Sequence, residues 1–280
     1  MMEVASLHYG VIFKKAFSQP HIFTAFVKDC TGIELEIDHV ETEKSFSPII
    51  GSVDSRFDLF AEDKKNRIIV DIQHKRLADH YDRFLHYHCT ALVEQINSSA
   101  DYRARMQMIT IVVLTSGDRH KTDIAITDFE PKNLAGEGIQ ETLHKIVYLC
   151  PKYVNEATPQ PYKEWFNAIN DSLDGQVDES HYQNPILQEI FECIQVDNTS
   201  PQEYARMKDE YANDQYFSDK AQKAKEEGRK EGIKEGIKEG QQKQRTLIAR
   251  ALLELDQLSP EVIAEKTGLT LIEVQALIES

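Results

Sequence analysis

An α/β core followed by a helical C-terminal extension is the fold class that this 280-residue chain predicts. Three observations point to it. Short apolar runs rich in β-branched residues alternate with segments of helical periodicity through the first two thirds of the chain. One run, Gln107–Thr115, is apolar almost without interruption, as a strand covered on both faces would be. From Ser200 onward the composition turns charged and helical, with glycines at 228, 232, 236 and 240 in EGRKEGIKEGIKEG. The expected division is a domain over 1–199, a long charged Gly-repeat helix or linker over 200–255, and a small helical pair over 256–280.

Residues 9–29 read as a helix whose apolar side carries Val11, Ile12, Ala16, Phe17, Phe23, Phe26 and Val27. Pro20 predicts a break or restart near Ser18 and Gln19. Ile33–Ser45 opens by alternating Ile33, Leu35 and Ile37 with acidic residues, which fits a half-buried strand or a loop leading into one. A hairpin follows, with strands Arg56–Ala61 and Arg67–Lys75 joined by the charged loop Glu62–Asn66. Asp79–Asn97 then reads as a helix, with Phe84, Tyr87, His88, Ala91, Leu92, Gln95 and Ile96 as its packing stripe. Asp123–Phe129 and Thr142–Leu149 are further strands, and Tyr162–Leu173 and Pro185–Val196 further helices. Ser200 as N-cap, Pro201 at the first position and Glu203 three residues after the cap start the extension.

The hairpin holds the chemistry. Side chains alternate along a strand, so Asp71, Gln73 and Lys75 share one face while Ile72 and His74 share the other. Asp58 lies among Phe57, Leu59 and Phe60, where a carboxylate is costly to desolvate unless a cation meets it. Two readings compete: a metal ion bridges Asp58 and Asp71, or both cap turns and pair with Arg56 and Arg67. The apolar flanks and the spacing favour the metal.

An Asp, twelve residues, then acidic-x-Gln on an apolar strand resembles the PD-(D/E)XK nuclease superfamily, in its branch of recombination-promoting nucleases or putative transposases. The amphipathic N-terminal helix with Phe13-Lys14 in GVIFKKAF, the helix with Arg83 and Tyr87, and the Glu-Gly-x-Lys tail extend the resemblance over most of the chain. It implies a restriction-endonuclease-like mixed sheet core flanked by helices and a metal-dependent DNA endonuclease linked to recombination or mobile elements. Asp58, Asp71 and the backbone carbonyl of Ile72 would ligate Mg²⁺ (or Mn²⁺). Gln73 stands where the family usually has Lys, though Gln is common in this branch; an amide orients water or a phosphate oxygen without offering charge, and Lys75 on the same face supplies it. Lys14 and Arg83 are candidates for phosphate or DNA contact. Family members often carry an acid three residues before the motif phenylalanine, and here that position is Gly10. Glu41 and Glu43 are candidates to compensate.

A carboxylate-held Mg²⁺ takes one or two carboxylates plus waters and substrate phosphate, which suits this donor set. The net charge of −15 opposes phosphate binding and predicts weak, salt-sensitive or assisted contact with DNA. Residues 56–83 depart from that balance, with seven basic groups against six acidic. The competing class is a catalytically weakened DNA-binding or protein-interaction scaffold of the same fold. Gly10 and the net charge favour it, whereas the intact D-x12-D-x-Q favours the nuclease.

The remaining signals are negative or structural. The histidines at 74, 80, 86 and 88 do not share a face and read as ordinary surface or core residues. Cys30, Cys89, Cys150 and Cys193 are scattered without a C-x-x-C, arguing against zinc and disulfides and for buried apolar roles. The N-terminus lacks the pattern of a signal peptide and the longest apolar run, Met108–Leu114, is too short to span a bilayer, so no membrane association and a cytoplasmic location are expected. The glycine repeat reads either as a ridge for homo-oligomeric helix pairing or as a solvated helical linker, and its polar composition favours the linker. The terminal LSPEVIAEKTGLTLIEVQALIES is a helix pair split at Gly268 whose second helix carries no Lys or Arg, favouring packing or oligomerisation over base reading.

Overall fold

The computed structural model describes residues 1–46, 55–74, 80–96, 104–255 and 257–278. It divides into two compact units, Met1–Tyr211 and Ala212–Ser280. The first unit therefore takes in the opening turns of the segment that the sequence assigns to the extension.

The first unit runs β1 (Met2–Glu3), α1 (Gly10–Phe17), α2 (Pro20–Thr31), β2 (Glu41–Phe46), β3 (Ser55–Glu62), β4 (Asn66–Gln73), α3 (His80–Val93), β5 (Gln107–Leu114), β6 (Ile124–Asp128), β7 (Lys145–Leu149), α4 (Gln160–Asp171), β8 (Gln176–Val177) and α5 (Pro185–Cys193). A long α6, Pro201–Glu254, begins in it. Six strands form one mixed sheet in the order β2-β3-β4-β5-β7-β6. Strand β3 runs antiparallel to both of its neighbours, β2 and β4; β4, β5 and β7 run parallel, and β6 returns antiparallel to β7. Strand β5 is central and buried on both faces, as its unbroken apolar run predicts.

Two cores sandwich the sheet. On one face Ile68, Val70, Ile109, Ile111 and Val113 pack against α1, α2, α4 and α5. On the other, Ile69, Met108, Val112 and Tyr148 pack against Phe84, Tyr87 and Ala91 of α3. Residues 33–40 are not a strand; Ile33, Leu35 and Ile37 pack partly buried on the first core, so the alternation marks a loop leading into β2. The expected break at Pro20 separates α1 from α2. Helix α6 starts with a reciprocal capping box, Ser200 N donating to Glu203 Oε2 at 2.7 Å and Glu203 N to Ser200 Oγ at 3.3 Å.

In the second unit α6 remains helical through the glycine repeat to Glu254, then α7 (Pro260–Thr267) and α8 (Leu271–Ile278) follow. Gly268 ends α7 with φ +71°, a left-handed cap, and Ala249, Ile263, Leu269 and Val274 form a small core. Two expectations about cysteines are corrected: Cys30 and Cys150 are buried, but Cys89 is exposed and Cys193 only half-buried. Cys89 lies on α3 away from the stripe of Phe84, Tyr87, His88 and Ala91 that is buried against the sheet. No helix among the described residues is long and apolar enough to cross a membrane.

Candidate active site

The site forms where the β3–β4 hairpin stops being a regular ladder. Strand pairing runs from Glu62↔Arg67 to Leu59↔Val70 and ends there. The next pair in that register is Asp58 with Asp71, and side chains replace the backbone bonds. Asp58 N donates to Asp71 Oδ1 at 3.3 Å, and Ile72 N donates to Asp58 Oδ2 at 3.1 Å. The N–H and C=O of one strand residue point to the same side. The Ile72 carbonyl is thereby turned toward the same gap.

A second irregularity lies across from Asp58 on β2. On the other side of β3, pairing with β2 skips the step between Thr42↔Leu59 and Lys44↔Phe57, where Glu43 adopts φ +58°. Phe57 and Phe60 pack in one core although strict alternation along β3 would separate them. Left-handed backbone at a residue other than glycine is uncommon and concentrates at functional sites. Here it stands beside Asp58.

Electrostatics make the pair expensive. Asp71 is 5% exposed, and its Oδ2 has no hydrogen-bond partner among the described residues. Burial, and then the Asp58 charge, hold its carboxyl well above the usual range. Burial also raises Asp58, against the pull of Lys14 and the Ile72 amide. Two carboxyl groups that resist ionising together, one with an orphaned oxygen, are the donor set a divalent cation would satisfy. Among the described residues no three His, Cys, Asp or Glu side chains group so as to hold a metal ion, so the pair would act with backbone and water.

Cations flank it. Lys14, on α1, ion-pairs with Glu43 and reaches Asp58 Oδ1 at 3.4 Å. Burial would lower its pKa, but Asp58 and Glu43 outweigh that and hold it raised. Arg83, on α3, donates to the Tyr87 hydroxyl at 3.1 Å, lies over the Tyr87 ring, and is close enough to Asp71 to help its ionisation. Tyr87 in turn meets Phe57 edge-on, tying α3 to the strand that carries Asp58.

Of the residues singled out by sequence, Asp58, Asp71, Ile72 and Lys14 are in contact or one contact apart, and Arg83 lies within electrostatic range. Gln73 is 9% exposed on the same side of β4 as Asp71. Lys75 lies outside the described residues. The arginines do not neutralise the pair: Arg56 goes to Glu43 at 3.6 Å, and Arg67 to Glu62 and Glu94. Glu43 joins the Lys14 cluster, whereas Glu41 pairs with Lys44 at 2.9 Å. The histidines are structural or peripheral: His88 Nδ1 is 2.9 Å from Thr110 Oγ1, His74 Nδ1 is 2.9 Å from Thr115 Oγ1, and His86 is exposed. Sequence reasoning missed Glu210, whose carboxylate accepts from the Gly10 and Val11 amides at 2.8 and 3.2 Å. No local pattern links residues so far apart in the chain.

A six-stranded mixed sheet with helices on both faces and an acidic pair on adjacent antiparallel strands defines a restriction-endonuclease-like α/β protein. Residues 11–227 match the family described as PD-(D/E)XK nuclease family transposase, and the chain belongs to that family. No curated protein and no solved structure matches it significantly.

Proposed function

We propose that the chain is a metal-dependent DNA endonuclease linked to recombination or mobile elements. The observation that carries this reading is the buried Asp58–Asp71 pair at the open end of the hairpin, with one Asp71 oxygen left without a partner among the described residues. Asp58, Asp71 and the Ile72 carbonyl hold Mg²⁺ (or Mn²⁺), which when bound supplies Lewis acidity toward the phosphoryl group and lowers the pKa of a water. Gln73 orients the water or a phosphate oxygen through its amide. Lys14 and Arg83, one on each side of the pair, meet backbone phosphates, and Lys75, outside the described residues, is the sequence's candidate to offset charge.

Lys14 already neutralises part of Asp58, which favours the second reading, a catalytically weakened DNA-binding or protein-interaction scaffold. Self-association through α6, where Ile233 and Ile237 are exposed, belongs with either. A thermal shift with Mg²⁺ separates the two. A ligand that binds only the folded chain raises its melting temperature. The nuclease reading expects a shift in the wild type and none in Asp71→Ala; no shift in either supports the scaffold.

A further inference from the structure

The start of α6 presents a face to α1. Glu203, Met207 and Glu210 follow at spacings of four and three, which places them on one side of a helix. Glu203 pairs with Lys15 at 3.2 Å, and Met207 packs against the core that contains Val11 and Ile12. Glu210 Oε2 accepts from Gly10 N and Oε1 from Val11 N, 200 and 199 positions away in sequence. These contacts meet a need, because α1 starts without a side-chain cap and without an acid in its first turn. The first amides of a helix have no partner inside it and carry the positive end of its dipole.

The carboxylate also fills a specific volume. A Cβ on Gly10 would stand 3.7 Å from Glu210 Oε1, 3.8 Å from Oε2 and 3.9 Å from Lys14 Nζ. Glu210 thus lies where a side chain of residue 10 would lie, beside the ammonium that reaches Asp58. We infer that Glu210 is a positioning residue of the Asp58–Asp71 site. Its carboxylate, delivered from α6, stands in for the acid that α1 lacks at Gly10. It anchors the first turn of α1, keeps Lys14 at Asp58, and adds negative charge to the field that draws in a cation.

The inference rests on the nuclease reading, and it makes the opening turns of α6 part of the catalytic unit rather than of a linker. It assigns Glu210 no place among the ligands, in keeping with the two-carboxylate site. A Cβ at Gly10 meets the Glu210 carboxylate only at ordinary van der Waals distance, and truncating Glu210 to alanine clears the volume beyond it. That allows the carboxylate to be moved from one helix to the other.

The test is calorimetric titration of the full chain with Mg²⁺, comparing wild type, Glu210→Gln, the double variant Gly10→Asp/Glu210→Ala, and Asp71→Ala, with hydrogen exchange at the Gly10 and Val11 amides alongside. Glu210→Gln removes the charge and keeps an amide oxygen as acceptor. Losing one charge near the site weakens Mg²⁺ binding by about five-fold, and returning it at residue 10 restores most of the affinity. Wild-type affinity in Glu210→Gln, with binding lost in Asp71→Ala, overturns the role of Glu210 and leaves the cation site standing. No binding by the wild type overturns the cation site itself, and the inference with it. If Glu210→Gln does not fold, the double variant decides: affinity close to wild type supports the transfer of function, and affinity five-fold or more below it refutes it.

Discussion

Asp58 and Asp71 hold one another across the open end of the β3–β4 hairpin, the Asp58 amide donating to Asp71 Oδ1 at 3.3 Å while Asp58 Oδ2 accepts from the Ile72 amide at 3.1 Å. The Asp58 amide places the Asp71 carboxylate and the Ile72 amide places that of Asp58, so both carboxyl groups are fixed before any ligand arrives. Such preorganisation works against the stability of the free chain.

Asp71→Asn should therefore stabilise the protein in EDTA. The amide oxygen still accepts from Asp58, and a buried charge that burial and Asp58 both disfavour is gone. A gain of about 1–2 kcal/mol is expected. Urea denaturation with and without Mg²⁺ measures it; a loss of stability in EDTA would show that the Asp71 charge is already compensated.

His88 predicts a pH dependence. Its ring is 1% exposed, bonds Thr110 and stacks on Phe129 with centroids 5.0 Å apart. Burial, with a smaller contribution from His144, lowers its pKa to about 4 from an ordinary 6.5. Between those values the unfolded chain binds a proton that the folded chain refuses, so stability rises with pH across the window. What is fully present above pH 6.5 is lost progressively on acidification toward pH 4, by up to about 3 kcal/mol. His88→Asn keeps a polar group near Thr110 without titrating. Its stability should change less with pH over that window, and an unchanged slope would assign the dependence to other groups.

The glycine repeat makes a further prediction. A Cβ at Gly228, Gly232, Gly236 or Gly240 would meet nothing within 4 Å. Alanine is favoured over glycine inside a helix by about 1 kcal/mol per position. Replacing all four should raise helicity by circular dichroism and leave the sedimentation coefficient and cleavage unchanged, as a solvated helix requires. A change in oligomeric state would mean that the glycines are a contact surface.

Much of the fold was legible because its signals are local. Pro20 marks the break between two helices, the apolar run of β5 marks a central strand, and Ser200 with Glu203 forms the capping box that its spacing announces. The proximity of Asp58 and Asp71 was legible too, since a tight hairpin fixes which residues face each other. Other features depend on distant partners. The two-residue strands β1 and β8 have no periodicity and exist only through their pairing. The left-handed Glu43 carries no residue preference that would reveal it, and Glu210 reaches α1 only after the intervening chain has folded. The exposure of Cys89 follows from which stripe of α3 meets the sheet, a choice set by Phe84 and Tyr87 rather than by the cysteine.

Plasmid cleavage by the purified chain shows whether the Asp58–Asp71 pair cuts DNA, with Mg²⁺, Mn²⁺ and EDTA compared and Asp71→Ala beside the wild type. Nicking or cutting that requires the metal and disappears in Asp71→Ala is expected. Intact plasmid under every metal, or equal cutting by the variant, would contradict the assignment of cleavage to the Asp58–Asp71 pair.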